Sequence, residues 1–208
     1  MFKRNQLYIA LVATSLSLGA SQAFAQESVN SVATVTVSNA FTLQEVAPID
    51  FGTYRVQYAH DGTNDFTTGA SAEIFANGNP ADLVDGVDGT GTSEASFVEI
   101  LAGAPAEYAI TGAAPFTALK VSALPTATLT NPASPGATFT LSVAATNFEI
   151  VGGTNDGDAY DQSGTSNMIT DATGAVGFKM GGKITTALTD VTYGDGAYSG
   201  SYTVTVDY

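Results

Sequence analysis

The feature that most limits the possible folds is an apolar–polar alternation with period two, strongest at both ends of the chain. Between residues 29 and 43 the apolar residues on one face are Ala33, Val35, Val37, Phe41 and Leu43. Between residues 198 and 208 they are Tyr202, Val204, Val206 and Tyr208. Period-two alternation with β-branched and aromatic residues predicts half-buried strands, because successive side chains of a strand point to opposite faces.

The residues between these ends also predict strands. The further candidate strands are residues 49–54, interrupted by Gly52, and residues 71–76, 95–101, 106–111, 117–122, 126–130, 137–151 with a break, and 174–186. The segments 77–94 and 152–173 are polar and predict long loops. No segment of helical periodicity with caps is present, so the sequence predicts an all-β sandwich or barrel in one domain.

The first 25 residues have the pattern of a secretory signal peptide. Lys3 and Arg4 precede an apolar stretch of about 14 residues, which is shorter than the roughly 20 residues that a membrane-spanning helix needs. Small residues at Ala23 and Ala25 predict cleavage before Gln26. We therefore expect a secreted protein of the periplasm, cell surface or extracellular space, with a domain over residues 26–208.

The predicted domain is strongly acidic. Residues 26–208 hold all 20 acidic residues of the chain against four basic ones, which are Arg55, Lys120, Lys179 and Lys183. Such a surface repels phosphate backbones and anionic headgroups. The composition therefore argues against nucleic-acid partners and against membrane insertion.

The sequence offers little catalytic equipment. It has no cysteine, and its one histidine, His60, lies in a turn-like segment. Thiol chemistry and nitrogen–sulfur zinc sites are therefore excluded, and no nucleophile-elbow or phosphate-loop motif occurs. We expect a protein that is not an enzyme, in which His60 has no functional role.

Calcium is the one cofactor that the sequence suggests. Asp156, Asp158 and Asp161 lie in one glycine-containing loop, and Asp82, Asp85 and Asp88 recur at every third position in another. Closely spaced carboxylates with glycine at the turn suit calcium. Ordinary turn formation, in which Asp and Gly satisfy backbone needs, explains the same pattern, so both interpretations stay open.

Three segments, taken in order, resemble elements of a known family. They are Ile49-Asp50-Phe51-Gly52-Thr53, Met180-Gly181-Gly182-Lys183-Ile184, and Gly196-Ala197-Tyr198-Ser199-Gly200-Ser201-Tyr202-Thr203-Val204-Thr205-Val206-Asp207-Tyr208. Behind a signal peptide they resemble an uncharacterised family of small secreted bacterial β-sandwich proteins. That family is similar to the spore-coat-U and archaic chaperone–usher pilin domains, although the disulfide usual in pilin-type relatives is absent here.

The resemblance implies an immunoglobulin-like, pilin-like antiparallel β-sandwich that serves as a structural subunit. In pilin-like subunits an incomplete sandwich is filled by an N-terminal strand of a neighbour. Residues 29–43, with Val35, Val37, Phe41 and Leu43 as the pairing face, have the position and alternation of such a donated strand. They suit equally the first strand of their own domain.

The sequence thus predicts a secreted structural subunit of the cell surface or extracellular matrix, whose partner is a second copy or another surface subunit. Two alternatives remain open. One is a monomeric secreted binding module that is stabilised by calcium and faces carbohydrate. The other is an outer-membrane barrel, because the terminal alternation ending in Tyr208 also resembles the closing strand of such barrels.

Overall fold

The computed structural model describes residues 34, 40–59, 66–89, 94–189 and 191–208. The chain divides into two compact units, Met1–Val37 and Ser38–Tyr208, and the fold described below is that of the second. The predicted leader, together with Val35, Val37 and His60, lies outside the described residues.

The described part of the chain is all-β, as predicted. Its strands are β1 Thr42–Ala47, β2 Thr53–Ala59, β3 Phe66–Thr68, β4 Ser71–Ile74, β5 Asp82–Val84, β6 Gly86–Asp88, β7 Glu94–Leu101, β8 Ala106–Thr111, β9 Ala118–Ala123, β10 Thr126–Thr130, β11 Thr138–Ser142, β12 Phe148–Val151, β13 Met168–Ile169, β14 Val176–Met180, β15 Gly182–Thr186 and β16 Thr205–Asp207. One short 3₁₀ turn, Ala145–Asn147, precedes β12. None of the helical structure in the described residues is long and apolar enough to cross a bilayer.

These strands form four antiparallel sheets. The first has the order β1-β8-β14-β12, and the second β10-β11-β15-β4-β5. The third, β13-β9-β16, is small, and the fourth has the order β2-β7-β6-β3. The chain switches between sheets at short breaks, one at Gly181 between β14 and β15 and one between β9 and β10.

Two hydrophobic cores hold the sheets together. The first core lies against the first sheet, where Tyr108, Ile110 and Phe178 meet Leu119 of β9 and Leu141 of β11. The second core lies between the fourth sheet and the second, where Phe97 of β7 packs near Phe139 of β11. Face-to-face burial of antiparallel sheets in this manner is the architecture of a β-sandwich.

Phe51 and Leu129 join the two cores. Each is partly buried and packs against both clusters of buried residues. Phe51 lies in the short segment between β1 and β2, so the chain passes here from the first sheet to the fourth. This crossing positions the candidate site described below.

The predicted break within residues 137–151 is confirmed and has a clear cause. Asn147, almost fully buried, accepts a hydrogen bond at Oδ1 from the Ala144 amide (2.7 Å) and donates through Nδ2 to Glu73 Oε1 (2.6 Å). The side chain therefore stabilises a tight turn between β11 and β12 instead of a continuous strand.

Some predictions of local structure were wrong. Residues 174–186 are not one strand, because β14 and β15 belong to different sheets. Residues 77–94 are not one long loop, because they contain β5 and β6, which pair with β4 and β3 in different sheets. Residues 198–208 are not one continuous strand either. Ser199 forms an isolated bridge with Thr130, and regular pairing resumes only at Thr205. The side-chain alternation of this segment is nevertheless present, since Tyr202, Val204 and Val206 pack against the first core.

Candidate functional site

The described structure contains a groove of about 1350 Å³. Two unbroken runs of the chain line it, residues 48–56 and residues 193–204. We call these runs the first wall and the second wall. Leu43 and Glu45 extend the lining next to the first wall, and the side chains between the walls are Phe97, Ile100, Tyr108, Leu129, Phe139, Leu141 and Ile184.

The first wall turns from the end of β1 into β2. Asp50 pairs with Ala104, and its Oδ1 accepts a hydrogen bond from the Gly52 amide at 2.8 Å. Gly52 has a φ of 83°, and a Cβ at this position would lie 2.2 Å from the carbonyl oxygen of Leu101. Glycine is therefore required twice, for the left-handed backbone and for the close approach. The strand break that the sequence predicts here is confirmed.

The first wall ends in an edge strand. Among the described residues, β2 pairs on one side with β7 and has no strand on the other. An unpaired edge presents a row of backbone N–H and C=O groups to its surroundings. In this protein residues 53–56 of the edge strand line the groove.

Backbone pairing of the second wall with described strands is interrupted. Ser199 and Thr130 exchange backbone hydrogen bonds of 2.9 and 3.0 Å, and beyond the wall Val206 pairs with Val121. Between these pairings residues 200–204 belong to no strand. Gly200 lets the wall run close to β10, since a Cβ there would lie 2.4 Å from the carbonyl oxygen of Thr128.

Contacts at three points show that the two walls run antiparallel. At one end the rings of Phe41 and Tyr208 meet at 5.4 Å. Farther along, the Tyr108 hydroxyl lies 3.3 Å from Glu45 Oε1 and 3.2 Å from the Tyr202 hydroxyl. At the other end the rings of Tyr58 and Tyr193 are 6.0 Å apart. The groove thus follows two antiparallel backbone segments over its length.

The tyrosine hydroxyls of the second wall are engaged within the protein. Tyr193 donates to the Thr138 carbonyl (2.8 Å) and accepts from the Ala187 amide (2.7 Å). Tyr198 donates to the Gly194 carbonyl (3.1 Å). Burial raises the pKa of Tyr193 to about 12. Burial also raises the pKa of Tyr108, as does its contact with Tyr202. These hydroxyls stabilise the second wall through bonds to other groups of the protein, whereas the hydroxyl of Tyr54 in the first wall is buried without a hydrogen-bond partner among the described residues.

The charges of the groove are mostly negative. Glu45, Asp50 and Asp195 line it together with one cation, Arg55. Apolar side chains cover most of the surface between the walls, so the groove suits a neutral chain with an apolar face. It is unfavourable for an anionic ligand.

The predicted strand-pairing residues are divided between two regions. Val35 and Val37 lie outside the described residues. Leu43 lies in β1, opposite Ile110, and also lines the groove, whereas Phe41 precedes β1 and packs against Tyr208. In the described part of residues 29–43 the strand begins at Thr42, so Phe41 and Leu43 pack within the domain that carries them.

The carboxylates of the predicted calcium loop act in local turns. Asp156 Oδ1 accepts from the Gly152 amide, and Asp161 Oδ1 accepts from the Ser163 amide, both at 2.7 Å. The Ser163 amide, followed by its hydroxyl, lowers the pKa of Asp161. Asp158 contributes its backbone carbonyl, which accepts from the Ile150 amide at 2.9 Å. The described residues contain no group of three or more metal-ligating side chains.

The other acidic triplet does not form a single loop. Asp82 lies in β5 and Asp88 in β6, strands of two different sheets, and Asp85 connects them. Asp88 is almost fully buried, whereas Asp82 and Asp85 are exposed. The regular spacing in the sequence therefore does not bring three carboxylates around one point.

Sequence reasoning missed the groove because no residue motif marks it. The available signals were the glycines, Gly52 and Gly200, that interrupt otherwise apolar strand patterns. Interruption of a strand by glycine indicates a bend or a close backbone approach, and both occur here. That the two interruptions line the same groove follows only from the tertiary structure.

Comparison of the chain with protein-family models, with curated proteins and with solved structures finds no match in any of the three.

Proposed function

We propose that this protein is an exported, non-enzymatic structural subunit that assembles by taking an extended strand of a neighbouring subunit into the groove. In this proposal the domain is an immunoglobulin-like sandwich that lacks one strand, as the resemblance to pilin-like domains implies. The observation that carries the proposal is the pair of antiparallel, incompletely paired backbone segments on either side of an apolar groove.

The walls supply what an added strand needs. Among the described strands, β2 is paired with β7 on one side only, and residues 200–204 lie outside any strand. Backbone N–H and C=O groups that are withdrawn from water without partners cost free energy, so a segment that pairs with them gains stability. Strand addition uses main-chain hydrogen bonds for affinity and alternate side-chain positions for specificity.

The size of the groove also favours an extended polypeptide. The cavity of about 1350 Å³ exceeds the roughly 300–1,000 Å³ of typical small-molecule sites. A strand lying along residues 48–56 would span about 30 Å at roughly 3.3 Å per residue. The groove therefore suits a strand of about nine residues.

The segment before the described domain has the right chemistry for the occupant. Residues 28–39 carry no charged side chain, and Ala33, Val35 and Val37 alternate with polar residues. A neutral strand with one apolar face suits a groove whose side chains are apolar between the walls and mostly acidic at the margins. The occupant that we propose is this segment of a second copy.

Two other occupants are outcomes of the test. The same segment could fold back into the groove of its own chain through residues 38–40, where Ser38 and Asn39 are residues that turns favour. A glycan, the ligand of the binding-module alternative, would find the hydroxyls of Tyr193 and Tyr198 already bonded to backbone groups. Among the described residues that line the groove, the buried Tyr54 hydroxyl has no hydrogen-bond partner.

A matched pair of substitutions in the donor segment tests the proposal. In the chain that begins at Gln26, Val37→Asp places a charge on the apolar face, whereas Val32→Asp places it on the opposite face. Burying a valine contributes about 1.5–3 kcal/mol, and every 1.4 kcal/mol changes an equilibrium tenfold. We expect V37D to weaken self-association at least about tenfold and V32D to leave it nearly unchanged. Light scattering after size-exclusion chromatography measures both.

The outcomes separate the alternatives. A wild-type chain that forms polymers visible by negative-stain microscopy, with V37D monomeric, supports donation between subunits. A wild-type chain that stays monomeric at every concentration and loses stability in V37D indicates insertion into its own groove. Equal association of the wild type and both variants contradicts the proposal.

A further inference from the structure

The loop between β8 and β9 presents an exposed aromatic side chain on a strained backbone. Phe116 is 68% exposed and has a φ of 53°. It is the one non-glycine residue with positive φ in the part of the chain that the structure describes. Bulky residues adopt this left-handed conformation rarely, and such strain persists only where the surroundings impose it.

The surroundings that impose it are well defined. Thr170 is fully buried, and its Oγ1 donates to the Ala114 carbonyl (2.7 Å) and accepts from the Thr117 amide (2.9 Å). The Thr170 amide donates to the Thr117 carbonyl (3.0 Å). The loop is therefore fixed on both sides of Phe116, and the side chain is held in solvent by a rigid support.

Phe116 lies at the end of the domain where the described chain begins. Thr111, the last residue of β8, is paired with Thr42 at the start of β1. Lys120, near the start of β9, is paired with Asp207. Because the loop joins β8 to β9, it lies at the same end as Phe41 and Tyr208, whose rings are in contact. Tyr208 is itself 46% exposed.

The length of the connection limits where a neighbour can lie. If residues 28–37 pair with the groove of a second copy, only residues 38–40 separate that copy from Phe41. Three extended residues span at most about 11 Å, at roughly 3.3–3.6 Å each. The second copy must then lie against the end of the domain that carries Phe116.

We propose that Phe116, with Tyr208 at the same end of the domain, anchors a side-chain contact between successive subunits, in addition to the donated strand. This inference rests on the proposed function, and its partner is a second copy of this chain. Rigid, exposed aromatic residues bind with little loss of conformational freedom and are enriched among the residues that contribute most to interfaces. The contact would fix the angle between subunits that three linking residues alone would leave free.

Phe116→Gly tests the contact without damaging the loop. Glycine adopts positive φ without strain, so the melting temperature should stay the same or rise. Phe116→Asn is a second variant that tolerates the same backbone conformation. The control is Leu83→Ser, which removes an apolar side chain of 37% exposure on the edge strand β5. We expect both Phe116 variants, and not the control, to raise the protein concentration for half-polymerisation at least tenfold.

A second measurement separates the contact from the groove. In the monomeric V37D background, a labelled peptide of residues 28–39 should bind with the same affinity whether residue 116 is Phe or Gly. Unchanged peptide binding with weakened polymerisation supports the inference. Polymerisation within twofold of the wild type, or a parallel loss of peptide binding, overturns it. If the peptide binds neither form, the proposed function itself fails.

Discussion

The acidic loop at residues 152–173 and the groove differ in how far their polar groups are satisfied. The loop contains closely spaced carboxylates that resemble a ligand site in sequence. In the structure Asp156, Asp161 and Asp171 accept hydrogen bonds from amides a few residues away. The groove has no motif, yet in the part of the chain that the structure describes it is bordered by a strand paired on one side only and by a segment outside any strand. Under the proposed function, incompletely paired backbone, and not clustered side chains, forms the binding surface.

The largest expected effect on stability comes from substituting two glycines, one in each of these regions. Gly52, in the first wall, and Gly157, in the acidic loop, have nearly equal φ values of 83° and 84°. A Cβ at Gly52 would lie 2.2 Å from the Leu101 carbonyl oxygen, whereas a Cβ at Gly157 has no atom within 4 Å. We expect Gly157→Ala to lower the free energy of unfolding by about 1–2 kcal/mol, the cost of left-handed backbone. Gly52→Ala should lower it by about 1–3 kcal/mol more, because overpacking adds to that cost.

Urea unfolding of the two variants measures this difference. Each glycine is the other's control, since the backbone strain is shared and only the surrounding space differs. Equal losses of stability would show that the first wall can move away from Leu101 at no further cost. The groove would then be less rigid than the close backbone approach at Gly52 indicates.

A substitution in the second wall is expected to have an intermediate effect on stability. Tyr193→Phe leaves the Ala187 amide without its partner, which should cost about 1–3 kcal/mol at neutral pH. Burial raises the Tyr193 pKa to about 12, so the folded state holds this proton more tightly than the unfolded chain. The stabilisation is complete below about pH 10, the usual value, and is lost as the pH rises from there toward 12. The penalty of Y193F should therefore shrink over this range.

Unfolding experiments at pH 7, 9 and 10.5 follow this change. Tyr198→Phe is the matched control, because it removes a wall hydroxyl that donates one hydrogen bond to the Gly194 carbonyl. A Y193F penalty that stays constant from pH 7 to 10.5 would contradict the role of this buried hydroxyl in holding the second wall.

The smallest effect is expected in the acidic loop. Because Asp156 and Asp161 already serve as acceptors for backbone amides, calcium should not change the melting temperature relative to chelator. Thermal unfolding in both conditions measures this. A calcium-dependent rise in melting temperature that disappears in the Asp156→Asn, Asp158→Asn double variant would show that the loop binds the metal. The acidic loop would then be a ligand site and not a set of local turns.

Local prediction was most successful where periodicity is continuous. The strands predicted at 106–111 and 126–130 are present with those bounds, and the break within 137–151 is confirmed. Prediction was wrong in residues 77–94, because β5 and β6 are too short and too polar to show a period. It was also wrong for the continuity of 198–208, because side-chain alternation says nothing about which backbone partners a strand has.

The candidate site could be predicted only in part. Leu43, assigned from the sequence to the apolar face of the 29–43 strand, lies in β1 and lines the groove, and the role of Val35 and Val37 in a donated strand stays a prediction. Phe116 could not be identified, because a phenylalanine after a proline gives no sign of positive φ or of exposure. Its backbone conformation depends on buried Thr170, which is distant in sequence.

The sequence by itself determined the all-β class and most strand positions, because these follow from a local side-chain period and from glycine. It also determined the neutral, alternating character of residues 28–39. Only the tertiary structure decided that residues 48–56 and 193–204 run side by side with incompletely paired backbone. Pairing of a sheet edge depends on segments that are far apart in the chain, so its absence leaves no local signal in the sequence.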